Sequence, residues 1–92
     1  MCGLAFLLAP TASPGERRAR MNEALQCLRH RGPDETGSVV GDGFAAGQNR
    51  LAIIDLKGGH QPMRDPSGRW VLVFNGEIYN YRDLRARLAG RW

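Results

Sequence analysis

The first apolar block, Leu4-Ala5-Phe6-Leu7-Leu8, is unbroken. A run of this length reads as a strand over Gly3–Ala9, buried on both faces. At Ser13 the pattern changes. Met21, Ala24, Leu25 and Leu28 recur three and four residues apart, the stripe of a helix lying against a core. Its start is marked by Ser13 as N-cap, Pro14 at the first helical position and Glu16 to complete a capping box. Gly32 and Pro33 mark its stop. Val39 and Val40 lead into Gly41-Asp42-Gly43, a turn signal, so Phe44–Gln48 reads as the return strand of a hairpin. Leu51–Ile54 is another apolar run. The stretch 57–69 is rich in turn residues and reads as a loop. Trp70–Phe74, aromatic and β-branched, is the strongest strand pattern in the chain. A second helix starts near Asn80, whose side chain can cap it. Leu84 and Leu88 share one of its faces, and Asp83 is spaced to pair with Arg87. Strand, helix, several strands, helix is the order of an α+β domain with a mostly antiparallel sheet. No strand follows the last helix, so the chain reads as the first part of a longer protein.

Composition narrows this picture. Ninety-two residues make one small domain or a piece of one, with a limited core. A hydrophobic content of 42% argues against disorder. The net charge of +4 comes largely from Arg17, Arg18, Arg20 and Arg29, then Arg82, Arg85 and Arg87, on two helical stretches. These read as solvated helix faces. Without an RNA-recognition, zinc-finger or basic-zipper pattern beside them, no nucleic-acid partner is expected. Gly3–Pro10 follows no basic segment and is too short to span a membrane, so no membrane partner is expected. Cys2 and Cys27 make neither a disulfide framework nor a metal cluster. No metal site is expected, and a reducing, cytoplasmic setting is the default.

Four features can carry chemistry. Removal of Met1 would give Cys2 the free α-amino group, with a reference pKa of about 7.7–8.0. Thiol and base would then share one residue. The bland alternative is a cysteine that only packs. Asn75-Gly76 is either a hairpin turn or two donors, a side-chain amide and a backbone N–H, converging on a developing oxyanion. Arg50 is a surface arginine or a bidentate carboxylate clamp. Residues 29–37, Arg-His-Arg-Gly-Pro-Asp-Glu-Thr-Gly, form a plain helix stop or a loop shaping a site. His30 there reads as a helix-end residue rather than a base.

Together, "MCGLAF", "RHRGPDETG", "NRLAIIDLKGGHQPM" and "VFNGEIYNYRDLR" resemble the N-terminal glutaminase domain of glutamine-hydrolysing asparagine synthetase, from Cys2 to about Leu88. "RLAIIDL" followed by "QPM" and "FNGEIYNY" is the specific part. The resemblance implies an N-terminal-nucleophile hydrolase fold, an αββα sandwich of mostly antiparallel sheets, of which residues 1–92 would hold only part. It implies L-glutamine as substrate, Cys2 as nucleophile and proton carrier, and Asn75 and Gly76 as oxyanion donors. Arg50 would pair with the substrate α-carboxylate. Leu51, Ala52, Ile53 and Ile54 would line the pocket, and Asn75, Gly76 and Glu77 would contact substrate. The family's aspartate for the substrate amine would lie beyond Trp92, as would a C-terminal synthetase domain using ATP and magnesium. No cofactor is expected within residues 1–92. A homodimer is an assembly the resemblance allows. Two other readings remain at this point. One is a related amidotransferase with a different ammonia acceptor. The other is a non-catalytic remnant that binds a partner through its basic helices.

Overall fold

The computed structural model describes residues 1–91. Strand β1 (Gly3–Leu8) is followed by helix α1 (Pro14–Cys27), a 3-10 turn at Arg29–Arg31, then strands β2 (Glu35–Val40) and β3 (Phe44–Arg50). Two short strands, β4 (Met63–Arg64) and β5 (Val71–Leu72), precede helix α2 (Tyr81–Leu88). The larger sheet has the order β1-β3-β2 and is antiparallel throughout; β4 and β5 form a separate antiparallel pair. This is an α+β arrangement.

The start of α1 follows from its local sequence. Ser13 Oγ accepts the Glu16 N–H at 3.1 Å, and Glu16 Oε2 accepts the Ser13 N–H at 2.7 Å. The helix stops at Cys27, five residues before Gly32. There the chain tightens into the 3-10 turn. His30 keeps its Nδ1 3.1 Å from the Cys27 carbonyl, so it is a helix-end residue.

Helix α1 lies on one face of the larger sheet. Met21, Leu25 and Ala45 are fully buried there, with Ala5, Leu7 and Val40 packed around them. Ala45 and Gly47 leave the α1-facing side of β3 nearly bare of side chains, which lets the helix come close. Asn49 is buried on the same face. Its Nδ2 donates to the Leu25 carbonyl at 2.5 Å, and its Oδ1 accepts from Thr36 Oγ1 at 2.8 Å. A carbonyl near the helix end is thereby satisfied.

Several sequence expectations change here. Strand β1 is buried on one face only: Phe6 and Leu8 are 68% and 73% exposed. An unbroken apolar run cannot tell which face will be covered. Arg17 is not on a solvated face but buried, its Nη1 donating to the carbonyls of Ala9 and Ala12. Strand β3 runs on through Asn49 and Arg50, because β1 and β2 pair with both sides of it. Trp70–Phe74 yields only the two-residue strand β5, whose partner β4 is equally short. Leu51–Ile54 forms no strand. Asn80 is at the N-cap of α2 but makes no capping bond. Leu84 and Leu88 are exposed, and no Asp83–Arg87 ion pair forms among the described residues.

Candidate active site

Cys2 stands one residue before β1. The pairing of Gly3 with Asn49 therefore places it beside the end of β3, where Leu51 leaves the sheet. Its Sγ accepts the Leu51 N–H at 3.3 Å. Its carbonyl accepts from Arg31 Nε and from Asn75 Nδ2, each at 3.3 Å.

Asn75-Gly76 follows β5, and no strand returns after it before α2 begins. The hairpin reading of this pair therefore falls. The segment instead turns toward Cys2, from 73 residues away in the chain.

A cavity of about 300 Å³ lies between these parts, lined by Met1, Cys2, Leu51, Ile53, Ile54, Asn75, Gly76 and Glu77. Seven of the nine candidate residues thus share one cavity. Arg50 and Ala52 are not among its lining. The guanidinium of Arg50 is nearly buried. Its Nη1 meets Glu35 Oε2 at 3.2 Å, and its Nη2 donates to the carbonyls of Ile54 and Asp55 at 2.9 and 2.6 Å. The Ala52 N–H donates to Asp34 Oδ2 at 2.8 Å.

The segment 51–55 has no strand partner, so these side chains give it its shape. Residues 29–37 support the segment, directly through Asp34 and indirectly through Arg31 and Glu35, and so build the site rather than merely ending a helix. Arg31 holds the Cys2 carbonyl, Asp34 holds Ala52, and Glu35 holds Arg50. Gly32 lets this stretch press against β3: a Cβ there would fall 2.3 Å from the Asn49 carbonyl oxygen. Glu35 also accepts from His60. The hydrogen bonds from His60 and then Arg50 lower its pKa below the ordinary carboxylate value.

Sequence reasoning singled out residues 29–37 as a block but assigned no role to Arg31, Asp34 or Glu35. It gave no role to Gln48, seen only as a strand end, or to Gln61, seen only within "QPM". Their side chains converge on the main chain of Phe74, beside Asn75. A glutamine in a strand or loop carries no periodic signal that would mark it. Among the described residues, no group of three or more His, Cys, Asp or Glu side chains is arranged to hold a metal ion. No helix is long and apolar enough to cross a membrane.

A cysteine at the head of a strand and an Asn-Gly pair facing it across a small cavity are the features to compare with known proteins. The family model described as a glutamine amidotransferase domain matches residues 1–91. The chain belongs to this glutamine amidotransferase family. A Mycobacterium bovis protein assigned as a glutamine-hydrolysing asparagine synthetase is 45% identical over 102 aligned positions, covering 96% of this chain and 16% of the relative. Glutamine-hydrolysing asparagine synthetase 1 of Arabidopsis thaliana is 43% identical, covering 96% of this chain and 15% of the relative. Glutamine-hydrolysing asparagine synthetase B of Escherichia coli K12 is 35% identical, covering 100% of this chain and 17% of the relative. This amidotransferase chain thus spans about a sixth of the length of the curated relatives it matches. The matched part is their N-terminal domain.

Proposed function

We propose that residues 1–92 carry the glutaminase site of an asparagine synthetase, built as part of an N-terminal-nucleophile hydrolase sandwich. The observation that carries the reading is the convergence of Cys2, Leu51, Ile53, Ile54, Asn75, Gly76 and Glu77 on one cavity. Excision of Met1 frees the Cys2 α-amino group. That amine takes the thiol proton as Sγ attacks the side-chain amide carbon of L-glutamine. The carbonyl π-electrons move to oxygen, where Asn75 Nδ2–H and the Gly76 N–H stabilise the charge. The C–N bond then breaks. The amine returns its proton to the leaving nitrogen, and ammonia departs. Water attacks the remaining thioester, the C–S bond breaks, and glutamate leaves.

Glu77 contributes its carboxylate to the substrate pocket. Arg50 pairs with the substrate α-carboxylate. A guanidinium has five N–H donors, and three are spent on Glu35, Ile54 and Asp55. The Nε–H and one Nη1–H remain for a ligand. In the whole protein, the ammonia converts aspartate to asparagine in a synthetase domain that uses ATP and magnesium. No residue described above is assigned to that chemistry.

The test is a segment swap. Residues 1–92 replace the corresponding part of the E. coli relative, and glutamate release is measured. The swapped enzyme should hydrolyse glutamine. Cys2→Ala should abolish hydrolysis while synthesis from free ammonia survives. Near-normal glutaminase turnover in Cys2→Ala would overturn the reading.

A further inference from the structure

Phe74 directly precedes Asn75, and its main chain is held by side chains instead of by a neighbouring strand. Its N–H donates to Gln61 Oε1 at 2.6 Å, and its carbonyl accepts from Gln61 Nε2 at 2.9 Å. One amide side chain thus supplies both bonds that an opposed residue in an antiparallel pair would make. Gln48 Nε2 donates to the same carbonyl, also at 2.9 Å. Gln48 is 1% exposed and lies on the central strand, paired with Leu4 on one side and Gly37 on the other. Its donor is therefore fixed to the central strand, which is paired on both sides. Its Oε1 is buried without a partner, a cost the fold carries while Nε2 points at Phe74.

Gln61 is seated just as closely. A Cβ on Gly37 would fall 1.9 Å from the Gln61 carbonyl oxygen, so β2 must offer bare backbone where Gln61 crosses it. The path from sheet to site is short and continuous. Gly37 admits Gln61, Gln61 and Gln48 hold Phe74, and the next two residues face Cys2.

We infer that Gln61 and Gln48 are positioning residues for the Asn75-Gly76 donors, acting through the main chain of Phe74. The inference rests on the glutaminase reading and deepens it. Oxyanion donors lower a barrier only when they are already aimed at the place where charge develops. Substrate binding depends on them far less. Loosening Phe74 therefore lowers kcat and leaves KM nearly alone. A merely structural role would reduce the amount of folded enzyme and leave kcat per active site unchanged.

The test uses the same segment swap, with active sites counted by covalent labelling of Cys2 with an electrophilic glutamine analogue. Gln61→Leu should lower glutaminase kcat per labelled site by about 10- to 10²-fold, with KM changed by less than about threefold. Gly37→Ala, which displaces Gln61 without touching its side chain, should change kcat in the same direction. Gln61→Glu supplies the sharpest arm. Its carboxylate still accepts from the Phe74 N–H but cannot donate to the Phe74 carbonyl. Its protonated form can. The kcat ratio of this variant to wild type should be lowest at pH 8 and rise severalfold by pH 5, where about a sixth of an ordinary glutamate side chain is protonated. An unchanged kcat per site in Gln61→Leu, or a Gln61→Glu ratio flat with pH, would overturn the inference. An inactive wild-type swap would instead overturn the glutaminase reading beneath it.

Discussion

Arg50 does two jobs at once in the proposed site, and the two separate kinetically from the job of Asn75. An oxyanion donor acts on charge that exists only in the transition state. Asn75→Ala should lower kcat by about 10²–10³ while KM stays close to wild type. A carboxylate clamp acts in ground and transition states alike, so Arg50→Ala should chiefly raise KM. Arg50→Lys should not restore it, because one ammonium cannot span Glu35 and the carbonyls of Ile54 and Asp55 together. Steady-state kinetics of the three variants check this, and the reverse pattern would exchange the two roles. Glu35 adds a pH dependence. Its carboxylate is held below the ordinary value by His60 and Arg50. Its contribution to order is therefore complete above the ordinary carboxylate pKa and is lost as pH falls through the lowered one. Amide protection at Gly59, whose N–H donates to the Asp55 carbonyl that Arg50 also holds, should fall on acidification below about pH 4. In Glu35→Gln that acid limb should be absent. Residues with a chemical signature were legible in the sequence: Cys2, and Asn75-Gly76 once the family pattern was seen. Gln48, Gln61 and Arg31 were not, because their work is done through backbone atoms of residues far along the chain.

The elements differ in how much of them is local. Helix α1 was legible to the residue at its start, since Ser13, Pro14 and Glu16 act on one another across a single turn. Ser13→Ala should remove the cap and destabilise the fold by about 1 kcal/mol, read as a shift in the denaturant midpoint of the swapped enzyme. No change there would show that the capping box is not what anchors the helix. Strand β5 is the opposite case. Trp70–Phe74 has a strong β pattern, but strand length depends on having a partner, and β4 offers two residues. Helix α2 shows the same dependence. Its Leu84 and Leu88 share a face as their spacing predicts, and nothing among the described residues buries them. Propensity proposes an element, and the neighbour decides how far it extends.

For the whole molecule the covered interior is small. Among the described residues five apolar side chains are buried: Met21, Leu25, Val39, Ala45 and Ala46. The radius of gyration is 14.6 Å, against about 12 Å for a compact domain of this length. The sheet face opposite α1 is partly open. Phe6 stacks on Phe44 with ring centroids 6.1 Å apart, and an apolar cavity of about 540 Å³ separates this face from Trp70 and Val71. Residues 1–92 expressed alone should therefore lack a sharp thermal transition, should self-associate, and should release little glutamate. Scanning calorimetry with light scattering checks this. A cooperative monomeric transition with strong glutaminase activity would contradict it. The α+β class was legible because it needs only element order. Which faces stay open was not, because that depends on what packs against them.

Cys2 owes its place to a bond with Leu51, 49 residues later in the chain. During synthesis β1 emerges first and has nothing to pair with until β3 has also been made. At about 5–20 residues per second, the N-terminus therefore spends roughly 2–10 s as unpaired chain. On the proposed mechanism that interval offers an aminopeptidase an extended N-terminus, whereas in the fold Met1 stays 77% exposed but Cys2 behind it is fixed at the cavity wall. On the proposed mechanism the order of events in time then matches the order of residues in sequence. The nucleophile is uncovered while the chain is still a thread, and the site that uses it is assembled around it afterwards.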